Sequence, residues 1–181
     1  MTSLSRDAPE SAIVLIGPMG AGKTSVGRRV ARELGVTFVD TDKLIVRDHG
    51  PIPEIFERLG EARFRQLERA AVTEALTAGG VVALGGGAIL DAATRADLRA
   101  HRVVFLTVSP HIVGGRIHGA NRPLLNGEDP IARWQTIFEE RRGRYEEVAD
   151  ITLDTSSGPL AAVVAEIIAW AQQTQNAEEH A

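Results

Sequence analysis

Gly17-Pro18-Met19-Gly20-Ala21-Gly22-Lys23-Thr24 decides the fold. Before it runs Ala12-Ile13-Val14-Leu15-Ile16, a short apolar and largely β-branched segment that reads as a buried strand. After it runs Ser25 to Leu34, with Val26, Val30 and Leu34 at helical spacing on one face. A strand, a glycine-rich loop and a Lys-Thr pair opening a helix form the P-loop context. The glycines let backbone N–H groups turn inward around phosphate oxygens, and the helix N-terminus adds further donors. Gly17, Gly20, Ala21, Gly22 and Ser25 would contribute to this cradle. Lys23 would reach the β- and γ-phosphates of a nucleotide, and the Thr24 hydroxyl would sit on Mg²⁺.

Outward from this loop, strands and helices alternate. Expected strands cover Val36–Val39, Val81–Leu84, Val103–Val108 and Ile151–Leu153. Between and after them, helices are expected over Lys43–Asp48, Pro53–Leu59, Glu61–Thr77, Asp91–Ala100, Ser109–His118, Ile131–Val148 and Pro159–Gln173. This alternation predicts an α/β fold, a parallel sheet with helices on both faces. Ligands then gather at the C-terminal ends of the strands. The P-loop, Asp40 and Asp42, Gly85-Gly86-Gly87 and Asp154-Thr155 all fall on that edge. One domain is expected, with a core at about 12–173 and polar tails at both ends.

Composition narrows the classes. The chain has 181 residues, no cysteine and a formal charge of −4. That excludes a disulfide framework and gives no electrostatic reason to expect nucleic acid as a partner. No apolar run is long enough to span a membrane, and Met1 to Glu10 lacks a signal-peptide core. A cytoplasmic protein is expected. Of 20 basic residues only Lys23 and Lys43 are lysines, so an arginine deserves a role only in a specific context. The five histidines show no zinc spacing.

Asp40 and Asp42, two apart at a strand end, can present both carboxylates to one side. One would hold Mg²⁺ through water while the other orients or deprotonates a hydroxyl. The competing reading is a helix cap. Arg65 lies three residues before Glu68, which can steer its guanidinium, although a surface ion pair fits the same spacing. Arg141 opens a basic cluster late in a helix, where the dipole favours cations in any case. Residues 114–129 include Arg116 and Arg122-Pro123, and read either as a mobile lid that closes over ATP or as a long surface loop.

These motifs together resemble the shikimate kinases, within the nucleoside-monophosphate-kinase-like P-loop group. The resemblance runs from about Ala12 to Ala171. It rests on the P-loop, Asp-Thr-Asp at 40–42, Gly-Glu-x-x-Phe-Arg-x-x-Glu at 60–68, Gly-Gly-Gly at 85–87, Arg-Pro-Leu-Leu at 122–125 and Arg-x-x-x-Tyr at 141–145. It implies a three-layer P-loop kinase fold with a five-stranded sheet in the order 2-3-1-4-5. It implies transfer of phosphate from ATP to shikimate, in aromatic amino-acid biosynthesis, by a monomer. Thr24, and Asp40 through water, would hold Mg²⁺. Asp42 would bind the shikimate hydroxyls and serve as base. Arg65 and Arg141 would bind the carboxylate, with Gly86 and Gly87 lining that site. Arg122 would descend from the lid onto the phosphates, while Arg116 and the segment from Ser157 to Pro159 would flank the adenine. This chain departs from the family in having Gly143-Arg144 where Pro-Leu is frequent, and in a lid one residue shorter than in some relatives. Gluconate kinase is the enzymatic alternative, and a nucleotide-binding regulatory module the non-enzymatic one.

Overall fold

The computed structural model describes residues 11–117 and 129–179. Among these, the strands β1 (Ile13–Ile16), β2 (Phe38–Asp40), β3 (Val81–Ala83), β4 (Arg102–Thr107) and β5 (Ile151–Asp154) form one parallel sheet, in the order β2-β3-β1-β4-β5. The helices are α1 (Lys23–Leu34), α2 (Thr41–His49), α3 (Ile52–Ala78), α4 (Ala92–Leu98), α5 (Pro110–Ile117), α6 (Pro130–Val148) and α7 (Leu160–Glu179). β1 sits at the centre, with Ile13 opposite Val81 on one side and Arg102 on the other. Because helices cover both faces, β1 is apolar at every position rather than at alternate ones.

The alternation survives as a division between two cores. Ile13 and Leu15 point into a layer with Val26, Val30, Val104, Leu106 and Ile167. Val14 and Ile16 point the other way, onto Val72, Leu76, Ile89, Leu98 and Phe105. Each fully buried aliphatic side chain stabilises by roughly 1.5–3 kcal/mol before entropy is counted. α6 contributes to both layers: Trp134 and Ile137 lie in the first, Tyr145 in the second, and Phe138 packs against each. A smaller cluster of Ile45, Ile55, Phe64 and Ala71 joins α2 to α3.

Several boundaries differ from the sequence expectation for local reasons. β2 starts at Phe38 rather than Val36, because the Val36 N–H still closes α1 by donating to Ala31 O at 3.0 Å. α2 starts at Thr41, not Lys43, since the Asp40 carboxylate caps it by accepting from Lys43 N at 3.3 Å. The two helices expected around Gly60 form α3, interrupted where Gly60 takes φ 75° and ψ 169°. A short 3₁₀ turn, Ala88–Leu90, follows the three glycines and precedes the Asp91 cap of α4. α7 continues to Glu179, past the expected end at Gln173. Of the expected lid, Arg116 belongs to α5 and Asp129 caps α6. Arg122 lies outside the described residues.

Candidate active site

The backbone enters the P-loop from β1 through three glycines with positive φ, Gly17 (139°), Gly20 (80°) and Gly22 (85°). A Cβ on Gly17 would overlap the Leu106 carbonyl of β4, so loop and sheet touch directly there. Two side chains hold the loop from outside. The Trp134 indole N–H donates to Met19 O at 2.9 Å, and the buried Thr155 hydroxyl lies 3.0 Å from Ala21 O and 3.0 Å from Thr107 O. A hydroxyl has one proton, so it donates to one of these carbonyls at a time.

A cavity of about 470 Å³ opens over the loop, lined by Gly20, Gly22, Lys23, Thr24, Ser25, Asp40, Asp42, Gly86, Arg116 and Leu160 among others. The Lys23 ammonium donates to Gly17 O at 2.7 Å and Pro18 O at 2.9 Å. The Thr24 hydroxyl donates to Asp40 Oδ2 at 2.6 Å. Asp40 therefore caps α2 with one oxygen, as the competing reading expects, and meets Thr24 on the cavity wall with the other. Asp42 reaches the same cavity from the first turn of α2, not from the strand. Strand periodicity does not pair the two carboxylates, because the backbone turns helical at Thr41. A change from extended to helical backbone between them brings both to the cavity.

Gly85-Gly86-Gly87 follows β3 and brings Gly86 to the cavity wall. None of the three has a positive φ. Their small size matters because side chains occupy the space. A Cβ on Gly85 would stand 2.5 Å from Asp42 Oδ1 and 3.0 Å from Glu68 Oε1, and one on Gly87 would overlap the Arg65 guanidinium. One on Gly86 would find nothing nearer than Gly17 O at 3.5 Å. The loop itself is stapled through Thr41, fully buried, whose hydroxyl accepts from Gly85 N at 3.0 Å and reaches back to Ala83 O at 3.4 Å.

Arg65 and Arg141 approach this loop from α3 and α6. Arg65 pairs with Glu68 at 2.7 Å and Glu61 at 3.1 Å. Arg141 donates to Gly86 O at 3.2 Å, where the Tyr145 hydroxyl also donates at 2.5 Å. Glu68 is only 4% exposed. Burial raises its pKa, and the Arg65 charge opposes that rise without cancelling it. Burial works against the Arg65 charge too, but Glu68 and Glu61 overcome it and hold the guanidinium above its usual value. Burial pushes the Tyr145 phenol up to about 12, so its hydroxyl keeps its proton and remains a donor.

Arg116 lies beside the P-loop on the cavity wall, donating to Gly20 O at 3.0 Å, Thr155 Oγ1 at 3.1 Å and Thr155 O at 2.8 Å. Ser157 and Pro159 are exposed, and Leu160, next in the chain, is the residue of that segment on the cavity wall. The sequence reading puts Thr155 on the ligand edge without giving it a role, uses Thr41 and Tyr145 only as motif letters, and gives Trp134 no part. Thr41 had a signal in its place between two aspartates. Trp134 and Thr155 act across 115 and 134 residues, where no local pattern speaks.

The shikimate kinase family model matches residues 19–172. A shikimate kinase of Corynebacterium efficiens is 46% identical over 86% of this chain and 94% of its own length. The structure of a shikimate kinase from Acinetobacter baumannii, in complex with shikimate, superposes with a TM-score of 0.85 at 38% identity, covering 91% of this chain and 94% of that one. A gluconokinase from Sinorhizobium meliloti gives a TM-score of 0.64 at 25% identity, over 94% of this chain and 97% of its own.

Proposed function

The chain belongs to the shikimate kinase family, and from that membership we propose that it transfers the γ-phosphoryl group of ATP to the 3-hydroxyl of shikimate. The observation that carries the reading is one cavity lined by Lys23, Thr24, Asp40, Asp42 and Gly86, with Arg65 and Arg141 set against the glycine loop beside it. The P-loop residues suit phosphates, and Asp42 with the two arginines suits a hydroxylated carboxylic acid. Gluconate fits less well, since the gluconokinase is the more distant neighbour on both identity and superposition.

The P-loop side of the cavity fits Mg²⁺. Thr24 and Asp40 offer a hydroxyl and a carboxylate 2.6 Å apart on the cavity wall. Mg²⁺ takes one or two such oxygens and completes its shell with phosphates and water. Bound there with ATP, the ion would neutralise charge on the β- and γ-phosphates.

The chain's own residues carry the rest. Asp42 orients the 3-hydroxyl and accepts its proton as the oxygen bonds to the γ-phosphorus and the bond to ADP breaks. Lys23 turns from its two P-loop carbonyls to the phosphates, where charge spreads during transfer. The planar forks of Arg65 and Arg141 hold the shikimate carboxylate, and Glu68 holds Arg65. Arg122 completes the charge around the transferred group from the lid. Arg116 and the segment from Ser157 to Pro159 take the adenine side. The protein acts as a cytoplasmic monomer without nucleic acid or membrane. No described helix is long and apolar enough to cross a bilayer.

Coupled ADP release with shikimate, with gluconate and with no acceptor tests this function. Release dependent on shikimate supports it. Release with gluconate alone overturns the substrate, and no acceptor-dependent release overturns kinase activity.

A further inference from the structure

α6 carries three aromatic side chains on one face, at 134, 138 and 145. Trp134 stacks on Phe138 with centroids 5.3 Å apart, and Phe138 meets Tyr145 at 6.5 Å. Tyr145 in turn stacks on Phe105 of β4 at 5.0 Å. Phe105 pairs in register with Ile16, the residue that leads into the P-loop. Trp134 and Tyr145 are 2% and 1% exposed. Eleven residues of helix separate them, about 16 Å along the axis.

The two ends of this face hold two different loops. Trp134 pins Met19 O of the P-loop, and Tyr145 pins Gly86 O of the glycine loop. Those loops also abut: a Cβ on Gly86 would lie 3.5 Å from Gly17 O, 3.7 Å from Met19 N and 3.7 Å from the Tyr145 oxygen. A single helix therefore holds both loops, which follow the paired strands β1 and β3. A core face needs aromatic rings only for packing. It does not need an indole N–H on one loop and a phenol on the other.

We propose that Trp134 and Tyr145 are positioning residues for phosphoryl transfer, and that the aromatic face of α6 sets the distance between the P-loop and the Gly85–Gly87 loop. This rests on the functional reading above, since donor and acceptor are taken to occupy those two ends. The raised pKa of Tyr145 supports it by keeping the hydroxyl a donor throughout the working pH range. Transfer is sensitive to such placement, because a shift of about 1 Å can cost about a hundredfold in rate.

The test uses Trp134→Phe, Tyr145→Phe and the double variant. Each substitution keeps a stacking ring and removes one hydrogen bond. Melting is followed for each, and kinetics are measured well below every melting temperature on whichever acceptor the parent enzyme turns over. A parent that ignores shikimate thus refutes the functional reading, while the ratios still decide this one. Each single variant should lower kcat about fivefold to tenfold, the equivalent of one buried hydrogen bond. Both KM values should stay within about twofold. The double variant should fall little below the worse single, because one distance is lost once. Unchanged kcat with a lowered melting temperature would make the face core packing only. A raised ATP KM at unchanged kcat would make Trp134 a nucleotide contact. Losses that multiply would make the two pins independent. Any of these three results overturns the proposal.

Discussion

Gly85→Ala is the substitution on which the geometry speaks most sharply. The residue lies outside the left-handed region, so alanine meets no backbone strain there. Its Cβ would nevertheless stand 2.5 Å from Asp42 Oδ1 and 3.0 Å from Glu68 Oε1. The first distance is roughly 1 Å short of an ordinary contact of about 3.5 Å. Asp42 Oδ1 is the nearer atom and lies closer than Cβ contacts tolerate, so it must shift. Crowding a packed site costs about 1–3 kcal/mol of stability, which leaves a folded protein. Moving a proton acceptor by about 1 Å costs on the order of a hundredfold in kcat. The assay is coupled ADP release beside a thermal melt, with Gly86→Ala as a stability control, since its added Cβ finds nothing within 3.4 Å. Gly85→Ala should melt a few degrees lower than Gly86→Ala and lose kcat about a hundredfold against the parent. Near-parental kcat in Gly85→Ala would show that the empty space at residue 85 does not place Asp42, and the reasoning would fail.

Asp42→Asn keeps shape and loses the proton acceptor, so kcat should fall about 10²–10⁴-fold with the ATP KM nearly unchanged; a raised ATP KM at constant kcat in steady-state assays would make Asp42 a metal ligand instead. Arg65→Lys and Arg141→Lys conserve charge but lose the fork, and initial-rate kinetics should show each raising the shikimate KM about tenfold to a hundredfold while sparing the ATP KM. His101 Nδ1 accepts the Ala12 N–H at 3.1 Å, and burial lowers its pKa against the pull of Asp97. Its unfolded value is about 6.5, so the native state binds protons less readily. The stability from His101 is complete above that pH and is lost as pH falls toward the lower folded value. Melts from pH 8 to 5 should therefore show a decline that is shallower in His101→Gln.

Local signals make the strands and the glycine-rich loop readable in the sequence, whereas the sheet order, which depends on non-local pairing, follows only from the family resemblance. A strand, a glycine turn and a helix cap each leave marks within ten residues, as at Ile13–Ile16, Gly22 and Asp91. Asp42 lies on the cavity wall as its neighbours suggest, but strand periodicity does not extend to it, because the cap at Asp40 ends the strand. In the Gly85–Gly87 loop, residues 85 and 87 make room for Asp42, Glu68 and Arg65, while Gly86 lies on the cavity wall. A sequence shows that a side chain is missing but not what fills the gap. Trp134 is silent in the sequence, and Thr155 shows only its edge position, for a related reason: neither has a visible partner until the fold sets it against a P-loop carbonyl.

Phosphorus NMR of the product tests the central claim most directly. The protein is incubated with ATP, Mg²⁺ and shikimate, and the organic phosphate is identified by its coupling to ring protons. The account predicts one phosphomonoester, coupled to the proton on C3, in amounts equal to the ADP formed. Phosphate on another hydroxyl would contradict the placement of Asp42 against the acceptor, and ADP with inorganic phosphate alone would contradict transfer to shikimate.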